Sequence, residues 1–282
     1  MNDAGGRAAR WSAALRRTPV AVWNDDVTDW AAALTYYAVL ALFPVLLVIL
    51  SIVGLTIPTA TPDVIDRMSQ AAPVASRALL RDTLRQLAEQ SSAAWTLIFL
   101  GGAGALWSGS SYLSVFRRAL HAMHGTSAHR PVWRTAPRII VTALVLISLL
   151  LTTTLALFLT GGLARRLGRA LNLGTAPQAV WDALRWPVVA AVAVILVLVL
   201  YRSGPASSRP VRKMAPGGTL AVGLMLAVSL GFAVYTSHGG TYHRLYGSLA
   251  GVVVFLVWLW LANLALLVGA QFNAELTKLS PE

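Results

Sequence analysis

The chain has 282 residues, 56% of them hydrophobic and 12% charged, where ordinary soluble domains run at about a quarter charged. Its net charge is +12 and it contains no cysteine. This balance points to a membrane protein and rules out disulfides and thiolate metal sites, while the cations fall between apolar runs instead of clustering as a nucleic-acid patch would.

Residues 1–29 form a basic N-terminal segment carrying Arg7, Arg10, Arg16 and Arg17. Between 7 and 23, Trp11, Ala14, Leu15 and Trp23 are set among these arginines, a pattern suited to a helix lying on an anionic lipid leaflet; the alternative is a frayed basic tail. The first long apolar run begins only after Asp25, Asp26 and Asp29. It is too long for a signal-peptide core and is expected to remain as a span.

No Asp, Glu, Lys or Arg occurs in 30–57, 91–116, 139–164, 186–201, 214–243 or 245–274. About 20 apolar residues rising about 1.5 Å each cross a hydrocarbon core, so each stretch is a candidate span. The expected spans are about 33–57, 93–116, 138–162, 184–202, 215–238 and 247–272, the fourth extended by Leu184 and by snorkelling Arg185 and Arg202. Together they make a six-span transmembrane domain over 30–276, followed by a cytoplasmic tail at 277–282. Runs such as Val188 to Leu200 do not alternate as barrel strands do. The expected fold is therefore all-α, an integral membrane helical bundle with about six transmembrane helices.

In the outer loop 58–92, Leu80, Leu84 and Leu87 recur at helical spacing, and Val64, Ile65 and Met68 form a shorter stripe. Pro58, Pro62 and Pro73 divide them into two short amphipathic helices capping the outer mouth of the bundle. With the N-terminus inside, cytoplasmic Lys and Arg number four before the first span, five in 117–138, four in 202–213, and Lys278, which leaves nine of the 23 outside. The positive-inside rule then places both ends in the cytoplasm of a bacterial-type inner membrane. The outer loop 165–185 runs against the rule, with Arg165, Arg166, Arg169 and Arg185 against Asp182.

The chain lacks a spaced nucleophile and base, and lacks carboxylates and imidazoles arranged to hold a metal, so it is expected not to be an enzyme and to need no cofactor. His121, His124 and His129 fit no zinc spacing and read as surface histidines. His238 and His243 lie five apart, on different helix faces, and suit interfacial hydrogen bonding. Spans without charge also disfavour a proton relay. Neutral ligands remain. Pro44 frees a carbonyl near Leu40 on a helix that carries Thr35, Tyr36 and Tyr37. Gly101, Gly102, Gly104 and Gly109 accompany Trp107, Ser108, Ser110 and Ser111; they either loosen the span or let helices pack closely. Asn263, the amide deep in the last span, must find a partner, either another helix or a solute. Gln271, Asn273 and Glu275 are expected to be exposed at the inner interface. Tyr36, Tyr37, Pro44, Ser110 and Asn263 are the candidate lining of a solute cavity.

Ala31-Ala32-Ala33-Leu34-Thr35-Tyr36-Tyr37, followed by Leu42-Phe43-Pro44, resembles the opening span of the YihY/BrkB family. Gly240-Thr241-Tyr242, Tyr246-Gly247-Ser248-Leu249-Ala250-Gly251 and Gly269-Ala270-Gln271-Phe272-Asn273-Ala274-Glu275-Leu276 resemble its closing signature, and Arg117-Arg118-Ala119-Leu120 its second-span exit. The resemblance runs from about Trp30 to Leu276. His238-Gly239 stands where members often show Asn-Phe, and His243-Arg244-Leu245 where Asn-Ala-Thr is common. The resemblance implies a six-span inner-membrane protein with both termini inside. Members carry the inherited labels ribonuclease BN and serum-resistance or virulence factor; the ribonuclease label conflicts with the missing metal-binding cluster. The resulting expectation is a transporter or channel-like permease for a small solute or ion, and the alternative a non-transporting scaffold or envelope-associated partner protein. Its partners would be the lipid bilayer, anionic lipid at the basic cytoplasmic loops and an unknown solute, without nucleic acid; a homo-oligomer is compatible with either reading.

Overall fold

The computed structural model describes residues 3–56, 82, 91–126, 136–153, 176–204, 211–238 and 248–279. Their regular structure is helical: α1 Asp3–Asn24, α2 Val27–Thr56, α3 Ser91–Met123, α4 Ala136–Thr153, α5 Ala176–Tyr201, α6 Val211–His238 and α7 Ser248–Lys278. Among the described residues four stretches are long and apolar enough to cross a membrane: Val27–Ile49, Ala136–Thr153, Lys213–Tyr235 and Gly251–Lys278. Pro187–Tyr201 is a shorter apolar helix, and α3 is 33 residues long with its apolarity diluted by Gly and Ser. The protein is an all-α membrane bundle. The expected helices within 58–92 lie outside the described residues apart from Asp82, as do 154–175, 205–210, His129, His243, Tyr246 and Gly247.

Local chemistry sets the helix ends. The N-terminal segment is ordered helix almost throughout, and the corner between α1 and α2 falls at Asp26, whose φ is +49°. Asp29 then sits in the first turn of α2, where a carboxylate complements the helix dipole. Helix α3 runs past its charge-free stretch because arginine does not stop a helix. It ends at Gly125, φ +61°, in a Schellman motif: Thr126 N–H donates to His121 O and Gly125 N–H to Ala122 O, each at 3.0 Å. Helix α5 starts at Ala176, ahead of the expected 184, since Asp182 and Arg185 are likewise accommodated.

The chain folds as two compact units, Met1–Tyr37 with Ser110–Glu282, and Ala38–Gly109. In the larger unit α7 is the hub, packing chiefly against α6 and α1, while α6 also packs against α5. The order in which side chains pair along the helices gives their directions. Asp25 meets Gln271 and Thr35 meets Asn263, so α2 runs antiparallel to α7. Met214 meets Asn273 and Ser229 meets Trp258, so α6 is antiparallel as well. The start of α2 and the end of α7 thus lie at the same end of the bundle.

Within the smaller unit, Pro44 fills the space that two glycines leave. A Cβ on Gly101 would lie 3.0 Å from the Pro44 carbonyl oxygen and 3.1 Å from Val48 Cγ2, and one on Gly104 would lie 3.2 Å from Pro44 Cγ. These glycines act by close helix packing.

Candidate functional site

Membrane helices dispose of hydroxyls by bonding them back to the preceding turn. Ser108 donates to Gly104 O at 2.7 Å, Ser114 to Ser110 O at 2.8 Å, Thr142 to Arg138 O at 2.8 Å and Thr35 to Ala31 O at 2.8 Å. An amide cannot satisfy itself in this way. Asn263, near the middle of the apolar stretch of α7, has 6% of its surface exposed and draws on three helices. Its Nδ2 donates to Leu259 O at 3.0 Å and to Thr35 Oγ1 at 3.1 Å, and its Oδ1 accepts from the Tyr112 hydroxyl at 2.8 Å. Thr35 passes the chain on to Ala31 O, so a closed set of neutral donors and acceptors ties α2, α3 and α7 together at mid-depth.

Below this cluster the ladder continues along α7. Tyr201, stacked on Phe116 with 6.2 Å between centroids, donates its hydroxyl to Leu266 O at 2.6 Å. Gln271 Nε2 donates to Asp25 Oδ2 at 2.8 Å. Asn273 reaches into the first turns of α6, where its Oδ1 accepts from Gly217 N–H and its Nδ2 donates to Met214 O, both at 2.9 Å. Glu275 holds Lys278 Nζ at 2.7 Å.

These positions correct the expectation of interfacial exposure for Gln271, Asn273 and Glu275. Gln271 is fully buried, Glu275 is 5% exposed, and the half-buried Asn273 bonds the backbone of a neighbouring helix. Among the described residues Ser51 Oγ, Ser110 Oγ and Gln271 Oε1 are buried without a hydrogen-bond partner.

Of the expected cavity lining, the structure places Asn263 in a polar cluster and adds Thr35 and Tyr112 to it. Tyr36, one residue past Thr35, is exposed and meets Tyr37 edge-on at 5.3 Å. Ser110 is half-buried with its Oγ out of reach of solvent, but its place two positions before Tyr112 turns it to nearly the opposite face of α3. Pro44 belongs to the smaller unit and packs on Gly101 and Gly104. Among the expected signature residues, Gly251 is exposed on α7 and Glu275 is buried. Ser248 begins α7. His121 Nδ1 lies 2.9 Å from Thr126 Oγ1, and His124 Nδ1 lies 2.8 Å from Leu120 O, so both rings serve the end of α3.

A family model described as "Virulence factor BrkB" matches residues 19–282, which include every helix of this polar ladder. The chain belongs to the BrkB family. This BrkB chain is 29% identical over 254 residues to the "Putative ribonuclease-like protein YfkH" of Bacillus subtilis (strain 168), across 88% of this chain and 89% of the relative. It is 38% identical over 80 residues to a "UPF0761 membrane protein" of Tolumonas auensis, across 28% of this chain and 26% of that protein. A "UPF0761 membrane protein" of Alkalilimnicola ehrlichii is 40% identical over 81 residues, across 29% of this chain and 18% of its own length. These UPF0761 relatives are thus matched over about a quarter or less of their length. No solved structure matches the chain.

Proposed function

We propose that this BrkB protein is a transporter or channel-like permease for a small solute or ion, set in a bacterial inner membrane with both ends in the cytoplasm. The observation that carries this reading is the mid-depth cluster of Asn263, Thr35 and Tyr112. Polar side chains inside a bilayer are costly and by default mark a pathway or binding site. Here they are neutral, so they suit a neutral solute or a cation stripped of part of its hydration, in the manner of amide and hydroxyl ligands at a broken helix. Gln271, Tyr201 and Asn273 extend the same ladder toward one membrane face. The cation-rich loops, and the meeting of α1–α2 with the end of α7 at one end of the bundle, support the orientation. The word ribonuclease belongs to YfkH; for this chain we favour a protein without enzymatic activity, because its sequence offers no clustered metal ligands.

One observation favours the alternative of a non-transporting membrane partner. Every polar atom of the Asn263 amide already has a protein acceptor or donor, as a purely structural clamp would. Comparing small molecules inside and outside cells that lack the protein, then restoring wild type or folded Asn263→Leu, separates the two. A solute that shifts in the null, returns with wild type and stays shifted with the variant supports transport. A variant that restores everything wild type restores, while melting at a lower temperature, sinks it in favour of the clamp.

A further inference from the structure

Helix α1 and helix α7 meet at two points that fix the angle between them. Trp11 packs edge-on against Phe272 with 5.7 Å between ring centroids, and Asp25, just beyond the end of α1, accepts from Gln271. Phe272 and Gln271 are consecutive residues, whereas Trp11 and the end of α1 are separated by about 20 Å of helix. A helix running alongside α7 would draw those two contacts far apart along it. Helix α1 therefore crosses α7 steeply, and where α7 spans a bilayer α1 lies near the plane of the interface.

Its side chains are sorted to match. Ala14 and Thr18, four residues apart, are buried against the bundle. At right angles to that face, Leu15, Pro19 and Trp23 form an i, i+4, i+8 stripe left exposed, with Trp23 at 82% and Leu15 at 50%. Arg10 and Arg17 occupy the side opposite this stripe, and Arg16 stands at its edge, exposed like Arg17. Helix α1 is more strongly amphipathic than α2, α3, α5, α6 or α7. A bulky apolar stripe beside guanidinium groups, on a helix in the interfacial plane, is the chemistry that takes up an anionic lipid surface.

We infer that α1 is a membrane-surface helix whose Leu15–Pro19–Trp23 stripe enters the acyl boundary of an anionic leaflet while Arg16 and Arg17 engage lipid headgroups. This inference stands apart from the transport reading, since it concerns the lipid contact of one helix and no solute.

The absence of cysteine makes the test clean. Single Leu15→Cys and Asn24→Cys variants of the full chain carry a nitroxide label in nanodiscs, either of phosphatidylcholine alone or with phosphatidylglycerol added. The oxygen-to-nickel-chelate accessibility ratio is expected to be severalfold higher at position 15 than at 24 in the anionic discs. Adding Arg16→Gln with Arg17→Gln should bring the position-15 ratio down to its value in the zwitterionic discs. Equal ratios at 15 and 24 in anionic discs would overturn the inference, and so would a position-15 ratio indifferent to both lipid charge and the arginines. Labelled proteins are first matched to wild type in melting temperature, so a misfolded variant is not scored.

Discussion

Gly217 of α6 and Gly269 of α7 face each other so closely that a Cβ on either would overlap the carbonyl oxygen of the other, and one on Gly269 would also come within 2.7 Å of the Tyr201 hydroxyl. Backbone meets backbone here, and the carbonyl oxygens cannot turn aside as the end of a flexible side chain could. Gly269→Ala and Gly217→Ala should each cost about 1–3 kcal/mol or more, the range for overpacking a filled interior. Gly223→Ala, whose Cβ meets nothing within 4 Å, is the control. It should be neutral or stabilising by up to about 1 kcal/mol, because glycine is a poor helix former. Reversible unfolding in detergent checks the contrast, and equal effects at all three glycines would refute the close approach.

The Asn263 cluster predicts coupling between Tyr112 of α3 and Thr35 of α2 through the amide they share. Tyr112→Phe leaves Asn263 Oδ1 without its donor, and Thr35→Val removes an acceptor from Nδ2. Interhelical hydrogen bonds inside membranes average about 0.6 kcal/mol, with a maximum near 1.7 kcal/mol. Each single change should fall in that range. In an Asn263→Leu background both should become nearly silent, a non-additivity that a double-mutant cycle reads directly.

Asn273→Leu removes two side-chain hydrogen bonds to the backbone in the first turns of α6, from Gly217 N–H and to Met214 O. Each such interhelical bond is worth about 0.6 kcal/mol on average, so the change should cost about 1 kcal/mol. Hydrogen exchange should accelerate at Gly217 well before the rest of α6. Protection unchanged at that amide would mean the side chain is not its acceptor.

Gln271→Leu is expected to act in the opposite sense. It gives up the bond to Asp25, whose partly exposed carboxylate can turn to water, and it removes a buried acceptor that has no partner. The loss is about 1 kcal/mol and the relief about 1–3 kcal/mol, so overall stability should hold or rise. The corner at 24–27 nevertheless loses its tether, and limited proteolysis there should quicken. A lowered melting temperature would count against this account.

The helical membrane bundle is legible in the sequence because a charge-free run of twenty residues admits few structures in lipid, and Asn263 is legible because an amide in such a run has to bond to something. The helix ends were less so. Charge loss marks the edge of a membrane, whereas α3 stops at the left-handed Gly125 and α2 starts after the left-handed Asp26, features of backbone geometry that hydropathy does not register. Tyr112 is not marked out by the sequence, because a lone tyrosine among glycines and serines has no pattern of its own. The signal available was its spacing to Phe116 and Ala119, which share its buried face. Gln271, Asn273 and Glu275 were misplaced for a related reason. Polar residues near a span's end look solvated until a neighbouring helix is known to cover them.

Asn273 and the paired glycines also bear on how the bundle can move. With the Asn273 amide bonded to its first turns and its backbone seated on that of α7, helix α6 could slide or twist against its neighbour only by breaking those bonds and that contact. The two are expected to move as one lever. On the transport reading, a motion that admits a solute would swing this lever against α2 and α3, which it meets near Asn263 through hydroxyl and amide tips, contacts that can be broken and remade without disturbing a single turn of helix.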